Sequence, residues 1–276
     1  MKKLGLIAWA CAATILAVWA GASSSKVRTQ LLLRSVPTGQ EILYIRNLDQ
    51  EDISDRTILR DIPAWEKAVN VDFASYWHTA HFKLVFIGRK PAPTGSMSAV
   101  FVKKGPVRGA LAYHTVGDNA PAITVYAGTG KYYGYDNSVS FTHELFELAA
   151  DPVTSYLNIG YPSDYVWIEH QDGSLKQTYS SAIAWFNEVC DPVEADSYLI
   201  GKTRISDFIT PAWFSDGVGQ RFDFLGLTQQ PLWIRPGGYA VFYGPQGFDE
   251  VTNFRTGHPE DRGFYVGDGD SRRSEH

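Results

Sequence analysis

Apolar positions recur at helical spacing in two stretches of the chain and alternate with polar ones in several others. In the first stretch Ile62, Trp65, Val69, Phe73 and Trp77 stand three or four residues apart, with Asp61 placed as an N-cap and Pro63 in the first turn. The spacing predicts an amphipathic helix from about 61 to 77. Four β-rich runs follow, at 82–88, 99–103, 110–116 and 122–127, separated by Pro, Gly, Asp and Asn, and they predict a small sheet. A second helix is predicted over 138–150, closed by Asp151-Pro152, because a residue before proline avoids the helical region. Beyond it the pattern gives turns and short strands, among them 166–170 and 184–189, and a hairpin around Gly201. No stretch of linker composition divides the chain. The expectation is one α+β domain over 23–266, a small mixed β-sheet packed on the second helix and then an irregular β-rich C-terminal half, with a flexible tail at 267–276.

The N-terminus breaks this pattern. Lys2 and Lys3 precede an uncharged, mostly apolar run, and Ala20-Gly21-Ala22 is a small-x-small sequence of the kind signal peptidase cuts. Residues 1–22 therefore read as a signal peptide, with an uncleaved membrane anchor as the alternative, and the protein as secreted or held in the cell envelope. Composition narrows the partners. With 25 Lys+Arg against 30 Asp+Glu, the net charge of −5 offers no basic surplus for nucleic acid. The 15 Phe, 15 Tyr and 8 Trp allow a large core. Of the two cysteines, Cys11 lies in the leader, so any metal must be held by His, Asp or Glu.

Those residue types converge in the second predicted helix, Ser140-Phe-Thr-His143-Glu144-Leu-Phe-Glu147-Leu-Ala-Ala-Asp151-Pro. Positions i and i+4 differ by ~40° around a helix, so His143 and Glu147 share a face and can close on one metal ion. Glu144, rotated ~100° from His143, would stand beside the metal, where a zincin keeps the carboxylate that activates a bound water. Phe141, Leu145, Leu148 and Ala149 are left to pack the helix from behind. Asp151 falls near the same azimuth but ~9 Å too far along the axis, and reads as a helix-end residue bonding the next turn. Glu188, in Asn187-Glu-Val-Cys-Asp191-Pro, is the expected third ligand, and Asp191 the group that orients His143 through its other ring nitrogen. An ordinary exposed helix and an ordinary Asp-Pro turn would explain the same residues without any metal.

Taken together, the His-Glu-x-x-Glu run with its Asp-Pro, Glu188-Val-Cys-Asp-Pro192, Ser206-Asp-Phe-Ile-Thr-Pro-Ala-Trp-Phe214 and Pro236-Gly-Gly-Tyr239 resemble a bacterial family of zincin-like proteins related to metallopeptidases. The likeness runs from about residue 61 to 243. More distantly, Asn187-Glu188 with Asp191 is similar to the Asn-Glu-x-x-x-Asp of gluzincins, one residue shorter. The resemblance implies a zincin-like fold with the sheet above the active-site helix, and a zinc-dependent hydrolase acting on protein or peptide. Glu147 stands where the standard pattern has His. A His-Glu-Glu set is oxygen-rich, a weaker activator of water, and open to Mn²⁺ or Ca²⁺ as well as Zn²⁺.

In the expected reaction Glu144 takes the proton of water and delivers it to the leaving amine, while a further donor steadies the oxyanion. His114, His170 and several tyrosines are open choices for that donor. His78 and His81 read as a solvated helix end, Asp268 and Asp270 as part of a polar tail, and Cys190 as a small buried residue rather than a nucleophile. Two other readings compete with the hydrolase: an exported protein with a structural metal, and a metal-free zincin-like binding scaffold.

Overall fold

The computed structural model describes residues 39–105, 110–117, 120–158, 165–215 and 220–253. The leader at 1–22, the tail at 267–276 and Asp268 and Asp270 lie outside them. The first element is one the sequence pattern did not single out. Strand β1 (Gln40–Asn47) precedes helix α1 (Asp55–Lys67), which runs through a π-helical stretch, Ala68–Phe73, into the short α2 (Ala74–Trp77). Helix α1 begins six residues before the expected start. Its N-cap is Ser54, whose hydroxyl accepts from the Thr57 N–H, and Pro63 lies inside the helix. Asp61 is buried at this point, accepting from Thr203 Oγ1 at 2.6 Å and pairing with Arg60, so its carboxylate ties helix to hairpin rather than capping a terminus.

Strands β2 (His81–Gly88), β3 (Met97–Val102), β4 (Ala112–Gly117) and β5 (Ala120–Tyr126) complete a five-stranded sheet in the order β2-β1-β3-β5-β4. All neighbours are parallel except β4, which runs antiparallel to β5 at the edge. β1 is therefore an interior strand between β2 and β3, and its alternate residues Leu43 and Ile45 are fully buried in the core. A short helix α3 (Ala127–Tyr133) leads to α4 (Asn137–Ala150), the helix that carries His-Glu-x-x-Glu. Phe141 of α4 meets Trp65 at 4.3 Å and Phe101 at 5.6 Å between ring centroids, so α1 and α4 share the same side of the sheet. His78 closes α2 in the left-handed conformation, a helix end as expected.

The C-terminal half is β-rich, as expected, and is built from small sheets. These comprise β6 (Leu157–Asn158), β7 (Tyr165–Glu169), β8 (Leu175–Tyr179), β9 (Ala184–Phe186), the hairpin β10 (Ser197–Ile200) and β11 (Thr203–Ser206), β12 (Trp233–Ile234), β13 (Tyr239–Gly244) and β14 (Gly247–Thr252). β14-β13-β9-β6 form one sheet and β12-β7-β8 another. The hairpin turns at Gly201, whose φ of +63° suits glycine. The mixed α/β class with a β-rich second half thus stands. Among the described residues no helix is long and apolar enough to cross a membrane.

One buried acid in this half makes stability depend on pH. Asp207 is fully buried; its Oδ1 accepts from the Phe208 and Leu225 N–H groups, and its Oδ2 has no partner among the described residues. Burial, and then the charge of Asp223, push its carboxyl up to about 8 from 3.8. The folded chain therefore keeps a proton that the unfolded chain gives up, and this contribution to stability falls as pH rises from about 4 through 8. Asp207→Asn, which retains both accepted bonds without the charge, is expected to raise the unfolding midpoint by about 5 °C at pH 8 and to leave it unchanged at pH 4. Thermal unfolding at the two pH values checks it.

Candidate metal centre

Helix α4 is held at both ends and through its middle. Asp136 caps it by accepting from the Ser138 N–H, and Ser138 Oγ accepts from Trp65 Nε1 while donating to the Arg204 carbonyl. Thr142 Oγ1 accepts from the Ser206 N–H of β11. At the C-terminal end Asn187 Nδ2 donates to the Ala150 carbonyl, one of the acceptors a helix terminus leaves open. Phe141, Leu145, Phe146 and Leu148 are fully buried, and so, nearly, are Glu144 and Glu147. The polar face of this helix is turned inward, against other parts of the chain.

Two segments meet that face. One is β4, whose His114 lies opposite Ile123 of β5, a core residue; paired residues share a face, so His114 is aimed at the helix. Its Nδ1 stands 3.0 Å from Glu144 Oε2 and 3.6 Å from Glu147 Oε2, and its Nε2 is 4.0 Å from Glu188 Oε2. The other is the segment after β9. There the Cys190 N–H donates to Glu147 Oε1 at 3.2 Å, and His143 Nε2 lies 3.2 Å from Glu147 Oε1 and 3.2 Å from Asp191 Oδ1. Glu188 thus reaches the cluster beside His114, and Asp191 meets His143 at the same nitrogen as Glu147 rather than at the other one. Asp151 points away, accepting from the Val153 and Tyr156 N–H groups in the turn that follows the helix. His170 lies in the exposed turn between β7 and β8.

His114 is the residue that sequence reasoning left undecided. The available signal was strand parity: His114 alternates with Ala110 and Ala112, of which Ala110 is buried and Ala112 packs on the core. Tyr239 was missed altogether as a site residue. It is buried and its hydroxyl bonds to Asp191. The glycines before it explain how it gets there. A Cβ on Gly238 would come within 2.5 Å of the Pro192 carbonyl oxygen and 2.8 Å of the Asp191 carbonyl oxygen, so only glycine lets the Pro236-Gly-Gly-Tyr239 turn close on the Asp191 segment.

The cluster is rich in acidic side chains. Burial and the neighbouring Glu147 push the Asp191 carboxyl up to about 7. Burial, then Glu147, hold the Glu188 carboxyl well above the ordinary range; for Glu194 burial does the same, with Asp191 and Glu147 adding to it. Burial alone would depress His114, but Glu188, Glu144 and Glu147 outweigh it and raise the imidazole to about 10. Five acidic side chains thus surround two imidazoles.

The donor set and spacing suit a metal. Ligands ~2.0–2.1 Å from a tetrahedral ion lie about 3.3 Å apart, and the two contacts of His143 Nε2, with Glu147 and with Asp191, match that edge. One ligand atom each from His143, Glu147 and Cys190 lie within 4.8 Å of one another, as do those from His114, Glu147 and Glu188. Asp191 reaches the same His143 nitrogen. Burial raises the Cys190 thiol well above its usual range, and the sulfur faces the His143 carbonyl at 3.6 Å as a donor. Comparison with protein-family models, with curated proteins and with solved structures found no match for this chain.

Proposed function

We propose that this chain is an exported, metal-dependent hydrolase, a zinc metallopeptidase of zincin-like build, acting on protein or peptide. The observation that carries the reading is that His143 Nε2 lies 3.2 Å from both Glu147 Oε1 and Asp191 Oδ1, with Glu144 on the same helix one residue after His143. The antiparallel edge strand β4, lying over α4 and contributing His114, accords with the same build. His143, Glu147 and Asp191 would hold the ion, with Glu188 beside them. Zinc there supplies a Lewis acid that polarises a carbonyl and makes water more acidic.

The chain's own residues do the rest. Glu144 takes a proton from the attacking water, whose oxygen bonds to the scissile carbonyl carbon, and returns that proton to the nitrogen as the C–N bond breaks. His114, with Nδ1 at 3.0 Å, steers the Glu144 carboxylate. The Tyr239 hydroxyl steers Asp191 in the same way. Burial of most of these groups keeps the local dielectric low, which strengthens each contact.

That same burial favours a second reading, a structural metal with no catalysis, since Glu147 and Asp191 are only 3% exposed and a substrate must reach them. Glu144→Gln separates the two. It leaves the proposed ligands in place, so metal content should match the wild type while hydrolysis of a casein-type protein substrate falls by at least a hundredfold. A metal-loaded wild type without activity on protein or peptide supports the structural reading.

A further inference from the structure

The reading above requires a divalent cation in this cluster; resting on it, the geometry also bears on how many ions are held. Glu147 turns its two oxygens to different imidazoles. Oε1 faces His143 Nε2 at 3.2 Å and accepts from the Cys190 N–H, whereas Oε2 faces His114 Nδ1 at 3.6 Å. On the His114 side one ring nitrogen is already accounted for. Nδ1 lies 3.0 Å from Glu144 Oε2, the carboxylate contact that metal-ligating histidines make through the nitrogen that does not bind the ion, which leaves Nε2 as the nitrogen for a metal. The His114 side chain is only 6% exposed, and its Nε2 has no hydrogen-bond partner among the described residues. It faces Glu188 Oε2 at 4.0 Å, too far for a hydrogen bond. That separation is wider than the ~3.3 Å edge of a tetrahedral site, and a small rotation of the Glu188 side chain, 27% exposed, would close it around one ion.

Charge points the same way. Glu144, Glu147, Glu188, Asp191 and Glu194 surround the two imidazoles, and Oε2 of Glu194 is itself buried without a partner.

We infer that the centre is dinuclear: one ion on His143, Glu147 Oε1 and Asp191, a second on His114 Nε2, Glu147 Oε2 and Glu188, with the Glu147 carboxylate bridging them. Nitrogen and carboxylate donors suit Zn²⁺ or Mn²⁺ at both positions. A carboxylate shared between two ions couples them, which gives the arrangement a signature independent of any activity.

Metal content of the full chain, loaded with excess Zn²⁺ and then dialysed, should be two ions per chain. His114→Ala and Glu188→Gln should each hold one; Glu188, with a 27% exposed side chain, is the safer substitution should the histidine variant fold poorly. Loaded with Mn²⁺, the wild type should give an exchange-coupled electron paramagnetic resonance spectrum, and Glu188→Gln the six-line spectrum of an isolated ion. Two ions retained in both variants, or one ion in the saturated wild type, would overturn the second position. In the latter case, loss of that ion in His143→Ala leaves the mononuclear hydrolase standing. No ion under any loading condition removes both.

Discussion

Chelation of the metal-loaded protein is expected to lower its thermal unfolding midpoint by about 10 °C, and added Zn²⁺ to restore it. The size follows from linkage. An ion present at ~1,000 times its dissociation constant stabilises the folded chain by about 4 kcal/mol, and at this chain length each kcal/mol moves the midpoint ~2–4 °C. The sign follows from the cluster itself. Without a cation, burial and their neighbours hold the Glu188, Asp191 and Glu194 carboxyls against ionisation, a cost that the folded state bears and the unfolded state does not. Scanning calorimetry with and without EDTA measures the difference. An unchanged midpoint in protein shown to have lost its metal would mean that the carboxylates are satisfied without one, and the metal centre would have to be abandoned.

The parts of this centre that were legible in the sequence are those encoded within one helix. His143 and Glu147 meet because they are four residues apart, and the contact at 3.2 Å needs only the helix to form. Asp151 was legible for the same reason, since its distance along the axis excluded it from the cluster before the turn that it caps could be seen. The strands were readable from alternation, and His114 carried its half of the signal in its parity with Ala110 and Ala112. What alternation could not show is that this edge strand lies over α4, a matter of packing between residues 30 apart in the chain.

The remaining differences have a common cause: long-range contacts recruit side chains whose local pattern suggests another use. Asp61 with Pro63 has the form of a helix start, yet Thr203, 142 residues away, takes the Asp61 carboxylate and the helix begins at Ser54. Glu188 and Asp191 are three residues apart and looked like a ligand and the group behind it. Asp191 opens a 3₁₀ turn, Asp191–Val193, and the two acids meet different groups: Glu188 lies against His114 of β4 and Asp191 against His143. The Pro236-Gly-Gly-Tyr239 turn was visible as a motif, but its purpose depends on Gly238 lying against Pro192, which nothing local to the turn specifies.

Glu147→Gln should be the most damaging single substitution at the centre, weakening Zn²⁺ binding by a hundredfold or more, beyond the 10–100-fold typical of groups that only support a ligand. It should also do what neither histidine variant does. His143→Ala removes a ligand from one position and His114→Ala from the other, whereas Glu147 turns Oε1 to the first imidazole and Oε2 to the second. Glutamine keeps the size of the side chain and one oxygen that can still accept from the Cys190 N–H. It replaces the other oxygen with an amide nitrogen that cannot accept and removes the charge that the two proposed ions would share. Isothermal titration with Zn²⁺ should therefore show both binding phases weakened in Glu147→Gln, against one phase lost in His114→Ala. If Glu147→Gln binds Zn²⁺ as tightly as the wild type, this carboxylate is not a ligand, and its buried contacts with two imidazoles serve the fold alone.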